Sequence, residues 1–262
     1  MPACALACAC RDSELSNPQV KIVYNYFMEM QPKLPQQISE FGHACLAALA
    51  DGGYGKTLSL GGAFGLSYYF EYRPTYDIDA WWEETATEKD RQAVVQCLVD
   101  ALLSFGKVNT RRWGDVVSIE LIPTGQERVG FSFQIAQRSA RLEQPVPAPW
   151  PPGLQIDAFT DLLASKMVAL VERGAPRDLR DVYAICQAGL ATPTQCWELW
   201  RRRQVFAGAD DNSGRARLAV QTHLSRIAVY RPLEGIADPL ERDAATKLRT
   251  WFEQEFLHAV QD

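Results

Sequence analysis

Helical and strand periods alternate along the first half of the chain. Ile38, Phe41, Cys45, Leu46 and Leu49 recur at helical spacing, which predicts a helix over residues 35–50 that Gly52-Gly53 ends. The stretch "KTLSL" at 56–60 reads as a short strand running into Gly61-Gly62, and a short helix from about 63 to 71 follows. Pro74 breaks that helix, and "YDIDAWW" at 76–82 resumes as a strand. Thr87 opens the next helix, with Asp90 as its capping-box partner and Val94, Val95, Leu98, Leu102 and Leu103 as its buried stripe. Two strands come next, "DVVSIELI" and "RVGFSFQIA". The turn-rich "PTGQE" between them predicts an antiparallel hairpin.

The pattern changes at "QPVPAPWPPG". Five prolines in ten residues at 144–153 leave too few N–H donors for a helix or a ladder, so a stiff extended linker is expected. Beyond it the periodicity is helical, over 160–173, 177–188, 193–205, 215–229 and 239–260. Thr192-Pro193 and Asp238-Pro239 read as N-cap and first-turn pairs. No internal repeat is visible. The expected fold is α/β (α+β): a mixed-sheet core over 20–143, the linker, and a helical domain over 154–262, with residues 1–19 as a disordered tail.

Composition narrows the class. At 262 residues the chain can bury one large core or two modest ones, and 47% hydrophobic with 23% charged residues is ordinary for a globular protein. A net charge of -5 excludes a chain that coats nucleic acid through its overall charge, but leaves room for a local basic patch. No apolar run approaches the ~20 residues of a membrane helix. The opening "MPACALACAC" has neither the basic segment nor the hydrophobic core of a signal peptide, so a cytoplasmic location is expected. Cys45, Cys97 and Cys186 fall in helical patterns as small hydrophobes, and Cys4, Cys8 and Cys10 lack a matching second ligand pair. His43, His223 and His258 have no spacing that suggests zinc or a triad.

The candidate chemistry lies in "GGAFGLSYYFEYRPTYDIDAWW". Side chains alternate along a strand, so Asp77 and Asp79 share a face with Cα atoms about 7 Å apart, while Ile78 points to the core. Two such carboxylates can grip a hard divalent cation, or they can form the solvated face of an edge strand. Gly61-Gly62 between a strand and a helix start allows backbone N–H groups to approach phosphate, or simply makes a tight turn. Further on, Lys166 and Arg173 are seven residues apart on one helix and share a face. They are either phosphate ligands or the wet stripe opposite Leu162, Leu163, Met167 and Leu170. Asp178 and Asp181 share a face of the following helix: one could orient Lys166, and the other could cap the helix or pair with Arg177 or Arg180. "WELWRRRQVF" at 197–206, followed by Arg215, Arg217, Arg226 and Arg231, gives a locally basic surface for an RNA acceptor. Alternatively Trp197 and Trp200 are core.

A strand, a glycine pair, a helix and a strand carrying D-x-D resembles the core layout of the nucleotidyltransferase superfamily. More narrowly, Gly61-Gly62, Arg73, Thr75, Asp77 and Asp79 resemble the signature of the AbiEii/AbiGii-type nucleotidyl transferase toxins, and "DLLASKMVALVERGAPRDLRDVYAI" at 161–185 resembles that family's downstream block. The resemblance spans roughly residues 57 to 186. It implies a nucleotidyltransferase-type core whose cleft the helical half completes. It also implies magnesium, or manganese in its place, held by Asp77 and Asp79. Gly61, Gly62, Arg73, Thr75, Lys166 and Arg173 would bind the nucleoside triphosphate, and Lys166 and Asp181 would join the two acids in catalysis. The acceptor hydroxyl would be the 3′ end of a transfer RNA, and a cognate antitoxin would be a partner; no membrane is implied. The alternatives are transfer to a protein hydroxyl, or a non-catalytic interaction protein of the same fold. One departure stands out. The third acid found in many nucleotidyltransferases has only Glu120 as a strand candidate, which is otherwise a cross-strand surface glutamate; Ser132 and Gln134 are the inward alternatives, and Asp181 could substitute.

Overall fold

The computed structural model describes residues 30–260; the expected tail, the start of the core range and Cys4, Cys8 and Cys10 lie outside the described residues. Helix α1 is Glu40–Asp51, five residues shorter at its start than the periodicity suggests. Ser39 sets that boundary, its hydroxyl accepting from the Gly42 N–H at 3.1 Å. Upstream, the Gln36 and Gln37 N–H groups donate to the Glu71 carboxylate instead of to a helical turn. Strand β1 is Leu58–Gly61, helix α2 is Gly62–Ser67, and β2 is Asp77–Trp82. Helix α3, Glu88–Leu102, carries the expected Thr87–Asp90 capping box.

Strand β3, Gly106–Trp113, was not legible as a strand; β4 is Val116–Pro123 and β5 is Phe131–Gln137. The reason is its place in the sheet. β3 is an outer strand whose polar Lys107, Asn109, Arg111 and Arg112 mask the alternation, and it pairs with β4 through a tight turn at Gly114. The β4–β5 hairpin is antiparallel, as "PTGQE" predicts.

The proline-rich stretch also differs from expectation. It carries a two-residue strand, β6 (Val146–Pro147), that pairs with β7 (Gln155–Ile156), and β7 runs parallel to β1. A ladder tolerates Pro147 because β6 is the last strand of the sheet, where an absent N–H leaves no neighbour unpaired. Residues 144–153 therefore turn back onto the sheet instead of spanning open space, and the described residues from 33 onward form one unit. The strand order is β3-β4-β5-β2-β1-β7-β6.

Five helices follow: α4 (Phe159–Glu172), α5 (Pro176–Gln187), α6 (Pro193–Ala207), α7 (Ser213–Tyr230) and α8 (Pro239–Trp251). Thr192 and Asp238 cap α6 and α8. The last predicted helix, 239–260, gives way to a π-helical turn at Phe252–Phe256, where both phenylalanines are buried against Trp197 and Trp251. No helix among the described residues is long and apolar enough to cross a membrane.

The two faces of the sheet differ. Leu58, Leu60, Ile78, Ala80, Trp82, Val117, Ile119, Leu121, Phe133 and Ile135 are buried in one cluster with Cys45, Leu46 and Leu49 of α1 and Val94, Leu98 and Leu102 of α3. Register places the alternate residues together on the other face. Gly61 lies opposite Asp79 and Ser59 opposite Trp81; Asp77 lies opposite Ser132 and Asp79 opposite Gln134. A row of polar residues thus crosses the sheet where an ordinary core would be apolar.

The helical half is tied to the sheet by a buried ionic network. Arg138, at the end of β5, reaches Asp157 and donates to Ser59 at 2.8 Å, and Ser59 also donates to Asp157 at 2.9 Å. Asp161 on α4 accepts the Leu142 and Glu143 N–H groups at 2.9 and 2.8 Å, and Arg203 of α6 lies 3.5 Å from it. Burial pushes the Asp157 carboxyl above its ordinary value, although Arg138 opposes the shift. Arg203 is therefore a buried anchor, not part of the exposed basic surface expected of the arginine run. Trp197 and Trp200 are core.

Candidate active site

Asp77 and Asp79 project from β2 on the polar face. Asp77 is exposed, with one carboxylate oxygen accepting from the Ser132 hydroxyl at 2.9 Å. Asp79 is half-buried, and no protein hydrogen bond reaches its carboxylate among the described residues. Burial pushes the Asp79 carboxyl above its ordinary value. Lys166 is the main opposing influence, Asp77 adds to the rise, and Arg177 and Arg173 also oppose it. A carboxylate partly withdrawn from water beside a second carboxylate is costly to keep charged until a cation joins it.

The glycine pair has a structural reason that spacing alone did not reveal. Gly62 has φ +60°, and a Cβ there would stand 2.1 Å from Asp79 Oδ2. At Gly61 a Cβ would stand 2.2 Å from the Trp81 Nε1 and 3.2 Å from Asp157 Oδ2. The turn is thus pressed directly against Asp79 and Trp81, and Arg138 lies over the Trp81 ring at 5.6 Å. Gly62→Ala should cost about 1–2 kcal/mol through its left-handed backbone and should displace the Asp79 carboxylate as well. Thermal unfolding and cation-dependent nucleotide binding measure the two effects. Wild-type values for both would show that Asp79 does not depend on this glycine.

A second close approach brings in the helical half. A Cβ at Gly65 would stand 2.9 Å from Leu162 Cδ2, so α2 and α4 touch there. Lys166, one turn along α4 from Leu162, is buried, and its Nζ lies 2.6 Å from Asp181 Oδ2 on α5. Asp181 is itself buried and heavily engaged. Arg73 Nη2 and Nε donate to Oδ1 at 3.0 and 3.1 Å, and the Tyr72 hydroxyl donates to the same oxygen. Burial alone would raise the Asp181 carboxyl; Lys166, then Tyr72 and Arg73, outweigh it and hold the group below the ordinary carboxylate value. Burial, and then Asp181, push the Tyr72 hydroxyl up, so it stays a donor.

The remaining expected residues divide clearly. Arg173 forks onto Asp178 at 2.7 and 2.8 Å, and Asp178 also accepts the Ala175 N–H at 3.1 Å as the cap of α5. Asp178 is thus the structural acid, and its partner is Arg173 instead of Arg177 or Arg180. Thr75 is half-buried in the loop before β2 and makes no side-chain hydrogen bond among the described residues. Glu120 shares the row of Asp77 but stands beyond Ser132, two strands or about 10 Å away, and pairs with Arg111 at 3.1 Å. Among the described residues no three His, Cys, Asp or Glu side chains gather as a metal-binding group. Ser132 occupies the β5 position facing Asp77. Tyr72 is the residue that sequence reasoning did not select; Ser132 was an inward candidate on its strand, and the register of β5 against β2, which no local pattern carries, is what sets it beside Asp77.

Over residues 44–255 the chain matches the family of the nucleotidyl transferase AbiEii toxin of type IV toxin-antitoxin systems. No curated protein matches it. Among solved structures, the crystal structure of a candidate nucleotidyltransferase from H. pylori is similar, with a TM-score of 0.49 and 15% identity, covering 86% of this chain and 100% of that one. At that score the likeness bears no argument about the site.

Proposed function

We propose that this chain, which belongs to the nucleotidyl transferase AbiEii toxin family, moves a nucleoside monophosphate from a nucleoside triphosphate to the 3′ end of a transfer RNA. The observation that carries this reading is the pair of acids on one face of β2, with Asp79 half-buried and its carboxylate accepting no protein hydrogen bond among the described residues. That donor set fits one hard divalent cation: two carboxylates supply part of an octahedral shell, and water and phosphate oxygens complete it. Asp77 and Asp79 would hold magnesium, and manganese suits the same oxygens. When bound, such an ion neutralises triphosphate charge and polarises the α-phosphate.

The chain's own residues then have separate tasks. The Gly61-Gly62 turn, packed against Asp79, offers backbone N–H groups at the rim of the acids. Lys166, oriented by Asp181, offers a compact charge to the phosphates. Arg73 and Tyr72 hold Asp181, and Thr75 and Arg173 line the approach. In the reaction the acceptor hydroxyl oxygen bonds to the α-phosphorus, the bond to the α–β bridging oxygen breaks, and pyrophosphate leaves with the electron pair. The hydroxyl proton passes to water. Positioning and charge neutralisation supply most of the rate.

Exposed Arg201 on α6 and exposed Arg217 and Arg226 on α7 add positive charge to the helical half of the acidic chain, which would suit the RNA backbone. The family's type IV toxin-antitoxin setting supports a cognate antitoxin as partner. Incubation with α-labelled nucleoside triphosphates, magnesium, total RNA and lysate protein tests the reading. Label should enter RNA of transfer-RNA size, and replacing the three arginines with Ala should flatten the salt dependence of RNA binding. Label in protein would move the acceptor to a protein hydroxyl. No label in either would overturn the transfer reading.

A further inference from the structure

Two thiols outside the cleft meet across the turn between α5 and α6. The sulfurs of Cys186 and Cys196 stand 3.6 Å apart, and neither is in a disulfide. Both sides of the turn are fixed by the backbone. Gly189, at φ +70°, closes α5: its N–H donates to the Cys186 carbonyl at 3.0 Å, and the Leu190 N–H donates to the Ile185 carbonyl at 3.1 Å. Thr192 caps α6, and the Cys196 N–H donates to the Thr192 carbonyl at 3.0 Å as that helix begins. The loop between the two cysteines is therefore already closed. A bond needs the sulfurs to approach from 3.6 Å to about 2.0 Å, with no further loop-closure entropy to overcome.

The two thiols differ in access. Cys186 is half-buried, and Cys196 is 0% exposed. A small oxidant in solution meets the first and not the second. An accessible thiol touching a second thiol is the arrangement in which a sulfenic acid is captured as a disulfide before it is oxidised further. The Cys186 sulfur, and then burial, push the Cys196 thiol above its ordinary value, so Cys196 keeps its proton while Cys186 meets the oxidant. Cys45 is the contrast. It is also 0% exposed, and burial pushes its thiol up, so it stays reduced in the folded chain.

We infer that Cys186 and Cys196 form a reversible disulfide site, with a peroxide as oxidant, Cys186 as the attacking thiol and Cys196 as the resolving one. The inference is independent of the transferase reading. The Cys186 sulfur bonds to one peroxide oxygen, the O–O bond breaks, and the other oxygen leaves as water with the Cys186 proton. The Cys196 sulfur then bonds to the Cys186 sulfur, the S–O bond breaks, and the second oxygen leaves as water with the Cys196 proton. Two sulfurs are oxidised and two peroxide oxygens reduced. The test treats the native full chain with hydrogen peroxide, stops the reaction with catalase, alkylates free thiols with N-ethylmaleimide in urea, and digests with trypsin without reductant. No Lys or Arg lies between Arg180 and Arg201, so both cysteines fall in the peptide 181–201, apart from Cys4, Cys8 and Cys10 in 1–11, Cys45 in 34–56 and Cys97 in 92–107. Peptide 181–201 should take no alkyl group and be lighter by two hydrogens, and dithiothreitol should restore both thiols. Cys196→Ala should form no disulfide there and leave a Cys186 sulfenic acid that dimedone labels. Cys186→Ser should leave Cys196 a free thiol. The wild-type result decides by itself should either variant fail to fold. Two free thiols in wild-type 181–201 after peroxide overturn the inference. Sulfinic acid at Cys186 beside a free Cys196 overturns it as well, because the contact would then be packing alone. So does a disulfide that forms only when peroxide is added in urea, where the native contact plays no part.

Discussion

Asp79→Asn should lower nucleotide transfer by about a hundredfold or more while the folded protein melts no lower than wild type. The two effects share a cause. Asp79 is half-buried and accepts no protein hydrogen bond among the described residues, so on the proposed reading its charge serves a cation and not the fold. Its carboxyl is raised in the folded state, so the folded chain holds that proton more tightly than the unfolded chain does. The linkage therefore stabilises at low pH and is lost as pH rises from the ordinary value of 3.8 through the raised one. At neutral pH the charge is a net cost, and Asn removes it. Transfer assays paired with thermal melts at pH 7 and above check both halves. An Asn variant that melts well below wild type with activity retained would make Asp79 a structural acid. Asp77→Asn should also lose transfer, but its exposed side chain gives no reason to expect a higher melting point.

The local elements that carry the candidate site were legible because they lie in short stretches. The D-x-D pair, the glycine turn, the capping boxes and the proline-led helix starts are each decided within a few residues, and the periodicity located most helices to within a few residues. Three things were not legible. Strand β3 hides because its polar side chains belong to an outer strand. The pairing of Val146 and Pro147 with β7 depends on a strand edge that sequence cannot display. The division of labour among the charges was the largest gap. Lys166, Arg173, Arg177 and Arg203 look alike along the chain. Three-dimensional pairing gives Arg203 to Asp161, Arg173 to Asp178 and Lys166 to Asp181, while Arg177 has no ion pair among the described residues. Gly62 illustrates the same limit: a glycine was expected there for phosphate access or for a tight turn, and the side chain pressed against it is Asp79.

Asp181→Asn should be the most destabilising substitution in the cleft, by about 3–5 kcal/mol, and should abolish transfer as well. The Asp181 side chain is 1% exposed and answers two cations at once, Lys166 at 2.6 Å and Arg73 at 3.0 Å. Asn keeps the shape and can still accept from Tyr72, but it cannot compensate the buried Lys166 ammonium, which would then lie in low dielectric without a counterion. The loop at Tyr72-Arg73, which leads into β2, would lose its attachment to α5 at the same time. The pH signature is opposite to that of Asp79. The Asp181 carboxyl is depressed in the folded state, so its contribution is full above the ordinary value of 3.8 and is lost as pH falls through the depressed value. Acid unfolding of wild type should therefore show a component below pH about 4 that Asp181→Asn lacks. The double variant Asp181→Asn with Lys166→Met separates the two roles of the pair. Removing the stranded ammonium should return much of the lost stability, since apolar replacement of a buried ion pair is often nearly neutral, while transfer should stay lost because the cation proposed to meet the phosphates is gone. Recovery of transfer along with stability would show that Lys166 serves the fold alone, and failure to recover stability would mean that Asp181 is held chiefly for Arg73 and Tyr72.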